Sequence, residues 1–276
     1  MHWQTTRFDI DLTTPQVMGI VNVTPDSFSD GGQHAGTSAA LNHCEQLIRD
    51  GAQMLDIGGE STRPGSPAVP LDEELARVLP VVREAVKLGV PISVDTYKPE
   101  VMQAVLDAGA DIVNDIWALR RGHALDVVAA HPRCGVCLMH MHRDPQTMQV
   151  APMEGDVVPA VVVFLRERAL KLIERGVGHE RIVLDAGVGF GKTVAQNFSL
   201  LARQRELMDL GWPLLAGWSR KSSLGAVTGR EVPAERVAAS VAAVLLSVER
   251  GARVVRVHDV RETLDALRIW QAIQPA

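Results

Sequence analysis

The sequence predicts an α/β fold, a (β/α)8 barrel that forms a single domain over residues 1–276. Three observations support this prediction: short apolar segments alternate with longer amphipathic ones, the alternation repeats eight times, and no linker or low-complexity tract interrupts it. Barrels of this class often reach this length as one unit. An open, doubly wound sheet is the second possibility, but it rarely needs eight repeats without a domain break.

The eight predicted strands are short, rich in β-branched residues and almost continuously apolar. This composition is expected of parallel strands that are buried on both faces. They run over Val17–Asn22, Met54–Gly59, Ile92–Thr96, Asp111–Asp115, Gly135–His140, Arg181–Gly187, Pro213–Trp218 and Arg253–His258.

Amphipathic segments between these strands predict the surrounding helices, for example over 38–52, 72–89 and 99–110. Several of them end in a glycine shortly before the next strand, which is a common signal for the end of a helix. A further helix is predicted over 157–176, with a start that its β-branched residues leave open. The apolar run 237–248 is either a helix packed on the barrel or an interface in a homodimer.

Two connections are longer than a strand-to-helix turn requires. They cover 22–37 and 60–71 and are rich in Gly, Pro, Ser and Asp. Long loops at the active rim of a barrel often close over the substrate. We therefore expect mobile lids after the first and second barrel strands, with disordered surface loops as the alternative.

Composition restricts the partners of the protein. The net charge of −5 argues against nucleic acid as a general partner, because binding the phosphate backbone requires a basic surface. The sequence has no apolar run near the ~20 residues that span a bilayer, and its N-terminus lacks the apolar core of a signal peptide. These features, together with only three cysteines, predict a cytoplasmic protein.

Two cysteines form the pattern CGVC, Cys134 to Cys137, which is a possible redox pair. Reactive pairs usually open a helix, where the thiol pKa is lowered. Cys137 instead lies in a predicted strand, which favours a structural role. Similarly, His140 and His142 in HMH suggest a metal site, but we expect ordinary hydrogen-bonded histidines there.

GVGFGKT, at 187–193, resembles a phosphate-binding P-loop. The full pattern requires glycine where this chain has Ala186, and no strand with a convincing second nucleotide-binding motif is present. We therefore do not expect hydrolysis of nucleoside triphosphates.

Polar residues recur where the predicted strands end. In a barrel these ends face a single rim, which is where active sites lie. One such residue could simply cap a helix, but a series of them indicates an enzyme. The series consists of Asn22, Asp56, Asp95, Asn114, His140, Asp185 and His258, with Ser219, Arg220 and Lys221 following the seventh strand.

The motifs at these ends resemble those of the bacterial dihydropteroate synthase family, almost from end to end. They are MGIVNVTPDSFSDGG, MLDIGGESTRPGS, ISVDTYKP, DIVNDI, LMHM, DPQTMQ, LDAGVGFGKT, NFSLL, GWSRKSSLG and VVRVHDV. Arg143 replaces a glycine that is frequent in the family. The resemblance implies a transferase that joins 6-hydroxymethyl-7,8-dihydropterin diphosphate to 4-aminobenzoate, releasing diphosphate and forming 7,8-dihydropteroate for folate synthesis.

The resemblance also implies a pterin subsite formed by Asp95, Asn114, Asp185 and Lys221. A carboxylate such as Asp185 can accept two hydrogen bonds from the 2-amino-4-oxo edge of the pterin, and Asn114 can donate and accept. Asp95, Asp185 and Lys221 are the implied catalytic residues, since the carboxylates would stabilise a cation formed when diphosphate leaves. Direct displacement remains the alternative.

Diphosphate is expected to bind Arg256, His258 and Thr62, with Arg63 as a further donor. Arg256 and His258 are two residues apart on one strand, so their side chains share a face. Asn22 is the implied Mg²⁺ ligand, with diphosphate oxygens and water completing a sparse protein shell. Asp56 is expected to order Asn22 or the loop that follows it.

For 4-aminobenzoate, the resemblance implies that Ser222 binds the carboxylate at the start of a helix, near a backbone N–H. The residues expected around the ring are Phe28, Thr62, Arg63, Pro64, Phe190 and Lys221. The family also implies a homodimer.

Three other functions remain possible at this point. A pterin-dependent methyltransferase barrel would share the pterin residues but would not need Arg256 and His258. A Schiff-base aldolase would use Lys221. A catalytically silent pterin-binding paralogue would keep the site without the reaction.

Overall fold

A computed structural model describes residues 1–23, 32–62 and 65–274, except for the side chains of 32–35. Within this part of the chain, eight parallel strands close into a barrel in the order β3 to β10, with β10 next to β3. The barrel strands are β3 (Gln16–Asn22), β4 (Met54–Gly58), β5 (Ile92–Asp95), β6 (Ile112–Asp115), β7 (Gly135–Met139), β8 (Ile182–Asp185), β9 (Leu214–Ala216) and β10 (Val254–Val257).

All eight predicted strands are confirmed, and both ends of each strand lie within two residues of the predicted ends. Their continuous apolar character follows from the closed barrel, because each strand packs inward on the other strands and outward on helices. The ring of helices contains α1 (Gly32–Arg49), α2 (Leu71–Ala85), α3 (Pro99–Asp107), α4 (Ala124–Ala130), α5 (Val157–Glu174), α6 (Val194–Ala202), α7 (Gln204–Met208), α8 (Ser222–Thr228), α9 (Val237–Glu249) and α10 (Val260–Ala272).

The barrel interior is apolar at its amino-terminal end. The buried residues of this layer are Met18, Met54, Ile112, Cys137, Val183, Leu215 and Val254. Side chains two residues further along a strand point the same way, and at that next level the chain becomes polar, with Asp56, Asn114, Asp185 and Arg256. The apolar layer therefore fills the amino-terminal half of the barrel interior, and the polar layer lies above it at the carboxyl end.

An N-terminal hairpin closes the apolar end, and the sequence analysis did not predict it. Its strands β1 (His2–Gln4) and β2 (Asp9–Asp11) pair antiparallel, with Trp3 opposite Ile10. Both side chains pack against the apolar layer, and Trp3 Nε1 donates to Arg181 O over 3.0 Å.

Helix α1 starts earlier than predicted. The expected start was residue 38, but α1 begins at Gly32, which shortens the first long connection. The predicted stop after α2 is confirmed: a short 3₁₀ turn follows it and ends at Gly89, whose φ of 77° is left-handed. None of the helices in the described part of the chain is long and apolar enough to cross a membrane.

Candidate active site

Four predicted site residues meet at the carboxyl end of the barrel. Asp95 and Asp185 are the last residues of β5 and β8, Asn114 is the penultimate residue of β6, and Arg256 lies in β10. The two carboxylates and the amide are at most 9% exposed. The structure thus brings together side chains that are up to 161 residues apart in sequence.

Asp56 lies at the centre of this group, one layer below the rim. It is fully buried and accepts hydrogen bonds from Ser93 Oγ (2.6 Å), Asn114 Nδ2 (3.1 Å) and Arg256 Nε (2.5 Å). No hydrogen bond joins Asp56 to Asn22 in the described ranges, and the alternative that Asp56 orders the loop after Asn22 falls on residues outside them. Inward-facing residues of β5, β6 and β10 are within its reach, and it orients Asn114 and Arg256 instead.

Arg256 is shared between two carboxylates. Its Nε donates to Asp56 and its Nη2 donates to Asp95 over 2.9 Å. Burial raises the pKa of Asp95, and the guanidinium of Arg256 opposes this rise. Among the described residues, no group accepts a hydrogen bond from Arg256 Nη1, so this nitrogen can serve a ligand.

Asp185 is fixed by the turn that follows it. Its Oδ1 accepts from Gly187 N over 2.7 Å. Within the described ranges no donor is bonded to its Oδ2, which lies beside Gly217, so this oxygen can accept from a ligand. Burial raises the pKa of Asp185, and the backbone N–H of Gly187 and the charge of Lys221 oppose the rise.

Lys221, Phe190 and Ser222 form a second group beside Asp185. Lys221 Nζ lies 4.3 Å from the centroid of the Phe190 ring, a distance typical of a cation–π contact. Burial lowers the pKa of Lys221 to about 8, and Asp185 opposes the shift. Ser222 is exposed and is the first residue of α8, as predicted.

The three polar residues after β9 point to different places. Ser219 Oγ is 2.9 Å from His258 Nδ1 and accepts from the His258 backbone N–H over 3.1 Å. Arg220 instead forms an ion pair with Asp259 at 2.6 Å. Ser219 therefore orients His258, whereas Arg220 is held by the residue that precedes α10.

Asn22 ends β3 and is half-buried, opposite Gly58 of β4. No hydrogen-bond partner for its amide occurs in the described ranges, so its oxygen can coordinate a ligand. No cluster of three or more His, Cys, Asp or Glu side chains suited to a metal lies within those ranges either. One amide oxygen fits a magnesium ion held mainly by substrate oxygens and water, and it does not fit a closed protein site.

His140 does not face the rim, contrary to the prediction. Its ring packs edge-on against Phe164 of α5, with centroids 4.9 Å apart, outside the barrel. Its Nδ1 is buried and has no hydrogen-bond partner among the described residues, so the expectation of a hydrogen-bonded histidine was wrong for His140. Burial lowers the pKa of His140 to about 2, so the ring is neutral at physiological pH.

The loop GVGFGKT is not a phosphate cradle. Lys192 is buried and donates to the carbonyl oxygens of Gly187 (2.8 Å), Phe190 (3.1 Å) and His140 (3.3 Å). Its ammonium is therefore committed to the backbone. The structural role of CGVC is supported as well: Cys134 and Cys137 are buried in different clusters, and burial raises the pKa of both thiols.

The sequence analysis missed an apolar cluster at the rim. It consists of Ile116, Met139, Met141, Met148 and Phe190, with Tyr97 and Trp117 packed against it. Met139 pairs with Asp185 across neighbouring strands, which puts the cluster beside the polar floor. In the sequence, methionine and isoleucine near a strand end are indistinguishable from ordinary core residues. The one signal that could have indicated a place at the rim is the position of Met139 at the strand end, next to His140.

Part of the predicted site lies in the long loops. Thr62 is described and half-buried, and the loop begins at Glu60, which binds Lys98 Nζ at 2.5 Å and Tyr97 Oη at 2.9 Å. Phe28, Arg63 and Pro64 lie outside the described residues, as do residues 24–31 of the predicted first lid.

Comparison with known proteins agrees with this geometry. The pterin-binding enzyme family matches residues 18–258. A dihydropteroate synthase of Neisseria meningitidis serogroup B is 50% identical over 276 residues, covering 98% of this chain and 97% of the relative.

Solved structures give the same result. The dihydropteroate synthase of Xanthomonas albilineans with 4-aminobenzoic acid superposes with a TM-score of 0.91 at 53% identity, over 97% of this chain and 96% of that one. The Burkholderia cenocepacia enzyme complexed with 7,8-dihydropteroate gives a TM-score of 0.89 at 52% identity, over 99% of this chain and 96% of that one.

The closed barrel and the matching family model define a pterin-binding barrel enzyme. Within that class, the chain belongs to the dihydropteroate synthase family, whose members are transferases.

Proposed function

We propose that this chain condenses 6-hydroxymethyl-7,8-dihydropterin diphosphate with 4-aminobenzoate at the mouth of the barrel, releasing diphosphate and forming 7,8-dihydropteroate. The observation that best supports this proposal is the buried group of Asp95, Asn114, Asp185 and Arg256. It combines acceptors for a donor-rich heterocycle with a guanidinium for an anionic leaving group. A methyltransferase barrel would not need that guanidinium.

Pterin binding depends on acceptors that are held in place. Asp185 keeps Oδ2 for the ring N–H groups because Gly187 occupies Oδ1. Asn114 keeps its carbonyl oxygen for the ring because its amide nitrogen donates to Asp56. Lys221 adds a donor and a positive charge on the same side, which supports its proposed contact with the ring.

Diphosphate would meet Arg256, His258 and Thr62. Arg256 offers Nη1 while Asp56 and Asp95 hold the other nitrogens. Rigid, pre-oriented donors stabilise a developing charge without reorganising during the reaction. Ser219 fixes the orientation of His258 in the same way.

Asn22 would hold Mg²⁺ through its amide oxygen, which is the donor type that this ion prefers. When bound, the metal would supply positive charge to the leaving diphosphate.

4-Aminobenzoate would lie between Phe190 and Lys221, with its carboxylate at the Ser222 hydroxyl. The exposure of Ser222 and the contact between Lys221 and Phe190 support this placement. Thr62 would border the same subsite, and we retain Phe28, Arg63 and Pro64 as further contacts from the long loops.

The chemical step needs little acid–base catalysis. The aromatic amine is neutral near pH 7 and can attack without a dedicated base. As diphosphate leaves, Asp95 and Asp185 would stabilise the positive charge that spreads over the pterin ring. Exclusion of water by the long loops would protect that cation.

We also propose that residues 1–276 form one domain and that two copies associate through α9. The inner face of α9, which includes Ala243, Val244 and Val248, packs on the barrel. Its outer face still carries Leu246 at 42% exposed. This outer face is the surface through which the homodimer expected from the family resemblance would form.

The proposed reaction is tested by measuring diphosphate release from the purified protein with magnesium. Release should require both substrates. No release above background with both present would exclude the synthase assignment and leave the silent paralogue. A covalent adduct trapped by borohydride on Lys221 with a carbonyl substrate would favour the aldolase instead.

A further inference from the structure

Lys192 is a buried cation that the proposed reaction does not use. It lies between β8 and α6 and is 2% exposed. An ammonium has three N–H donors, and the structure gives Lys192 three backbone acceptors, on Gly187, Phe190 and His140. A buried charge is tolerated when its hydrogen bonds are satisfied in this way.

The three carbonyls belong to two different segments. Gly187 and Phe190 are in the loop after β8, whereas His140 directly follows β7. The segments are in close contact, since a Cβ on Gly187 would lie 1.8 Å from His140 O. Gly187 also has a φ of 65°, a left-handed conformation that favours glycine. Lys192 therefore ties the loop after β8 to the neighbouring strand end.

This loop positions both proposed substrate subsites. Gly187 N holds the Asp185 carboxylate on the pterin side. Phe190, three residues further on, faces Lys221 on the 4-aminobenzoate side. A shift of the loop would move both contacts together.

Lys192 also acts on Asp185 through its charge. Burial raises the pKa of Asp185, and the positive charges of Lys221 and Lys192 counteract this rise. Burial lowers the pKa of Lys192 itself to about 7, with Asp185 opposing and Lys221 reinforcing the shift. Burial lowers the pKa of His140 and of His142, and the charge of Lys192 adds to both shifts, after that of Arg143 in the case of His142.

We propose that Lys192 is a positioning residue of the synthase reaction: it fixes the loop that holds the Asp185 carboxylate through Gly187 N and that carries Phe190, and it places a positive charge near Asp185. This inference rests on the proposed roles of Asp185 and Phe190. The lysine of GVGFGKT would therefore hold this loop in position and would not bind phosphate.

The test compares Lys192→Met with the wild type in calorimetric titrations of pterin diphosphate from about pH 4, near the ordinary pKa of an aspartate, to about pH 8. Ionised Asp185 accepts from the ring, so binding weakens as pH falls through the raised pKa of that carboxyl. Removing the Lys192 charge raises the pKa further, so the midpoint of this loss should move up by about one pH unit. The KM for 4-aminobenzoate should rise as well.

Thr193→Ala is the matched control. It removes the cap of α6, in which Thr193 Oγ1 accepts from Gln196 N, and should cost about 1 kcal/mol of stability. The binding midpoint should not change, because the lysine stays in place. Lys192→Arg, which keeps the charge, should keep the midpoint close to that of the wild type.

An unchanged midpoint and unchanged KM values in Lys192→Met would show a purely structural lysine and overturn the inference. If this variant does not fold, Lys192→Gln, which keeps two donors without the charge, provides the same pH test. Failure of the proposed function would look different, because the wild type itself would then release no diphosphate.

Discussion

Replacement of Asp56 by asparagine tests whether the carboxylate beneath the rim organises the site. Asparagine has the same shape, and its oxygen can take the place of Oδ2, where it would accept from Arg256 and Asn114. Its NH2 group would then face Ser93 Oγ, which can reverse and accept. The substitution therefore removes the negative charge beside Arg256 while the side-chain volume and most hydrogen bonds are retained.

The expected loss of stability follows from the hydrogen bonds to a charged group that the substitution weakens. A hydrogen bond to a charged group contributes about 1.5–3 kcal/mol, and Arg256 keeps Asp95 at 2.9 Å as its remaining carboxylate. We therefore expect a stability loss of about 2–3 kcal/mol, which for a chain of this size lowers the Tm by roughly 3–5 °C. A guanidinium drawn towards Asp95 is displaced from diphosphate, so kcat/KM for the pterin substrate should fall by about 10–100-fold.

Asp111→Asn is the matched control, because Asp111 is also fully buried and paired with an arginine. It lies at the amino-terminal side of β6, where it binds Arg7 Nη2 at 2.6 Å and accepts from Ile92 N at 2.9 Å. All its partners are N–H donors that cannot reverse, so its stability loss should be at least as large. Its kcat/KM per folded molecule should nevertheless remain at the wild-type value.

The assay measures thermal unfolding and steady-state diphosphate release for both variants, at a temperature at which both are folded. Loss of kcat/KM in Asp56→Asn alone would support the organising role. If Asp56→Asn kept the wild-type kcat/KM, or if both variants lost it equally, the reasoning would be refuted.

Three further outcomes are expected. Asp185→Asn should weaken pterin binding by about 10–100-fold, because a donor replaces one acceptor opposite ring N–H groups, and equal affinities in a calorimetric titration would contradict this. Asn22→Ala should raise the Mg²⁺ concentration needed for half-maximal diphosphate release, whereas an unchanged metal titration would remove Asn22 from the metal site. Leu246→Glu should convert dimers to monomers in analytical ultracentrifugation, and the proposed interface fails if the variant remains dimeric or if the wild type is monomeric.

The barrel was predictable because its signal is local. Each strand is an apolar run long enough to identify, and glycines such as Gly89 and Gly109 mark the ends of the preceding helical segments. The β1–β2 hairpin was not predictable in the same way, since each of its strands has only three residues. Its role depends on Trp3 reaching the apolar end of a barrel that forms from distant segments.

Strand-end polarity predicted which residues gather at the rim, but not their partners. Asp95, Asn114 and Asp185 face inward as expected. His140 faces outward because it lies one residue beyond Met139, and successive side chains of a strand point to opposite faces. The contact between Arg256 and Asp56 spans 200 residues of sequence, and only the closed barrel brings the two together.

The most direct test of the account is a crystal structure of this chain with pterin diphosphate and Mg²⁺. The account predicts the pterin ring against Asp185 and Asn114, the diphosphate at Arg256 and His258, and the metal at Asn22. A pterin bound elsewhere, or held in the barrel mouth with the diphosphate turned away from Arg256, would contradict the central claim.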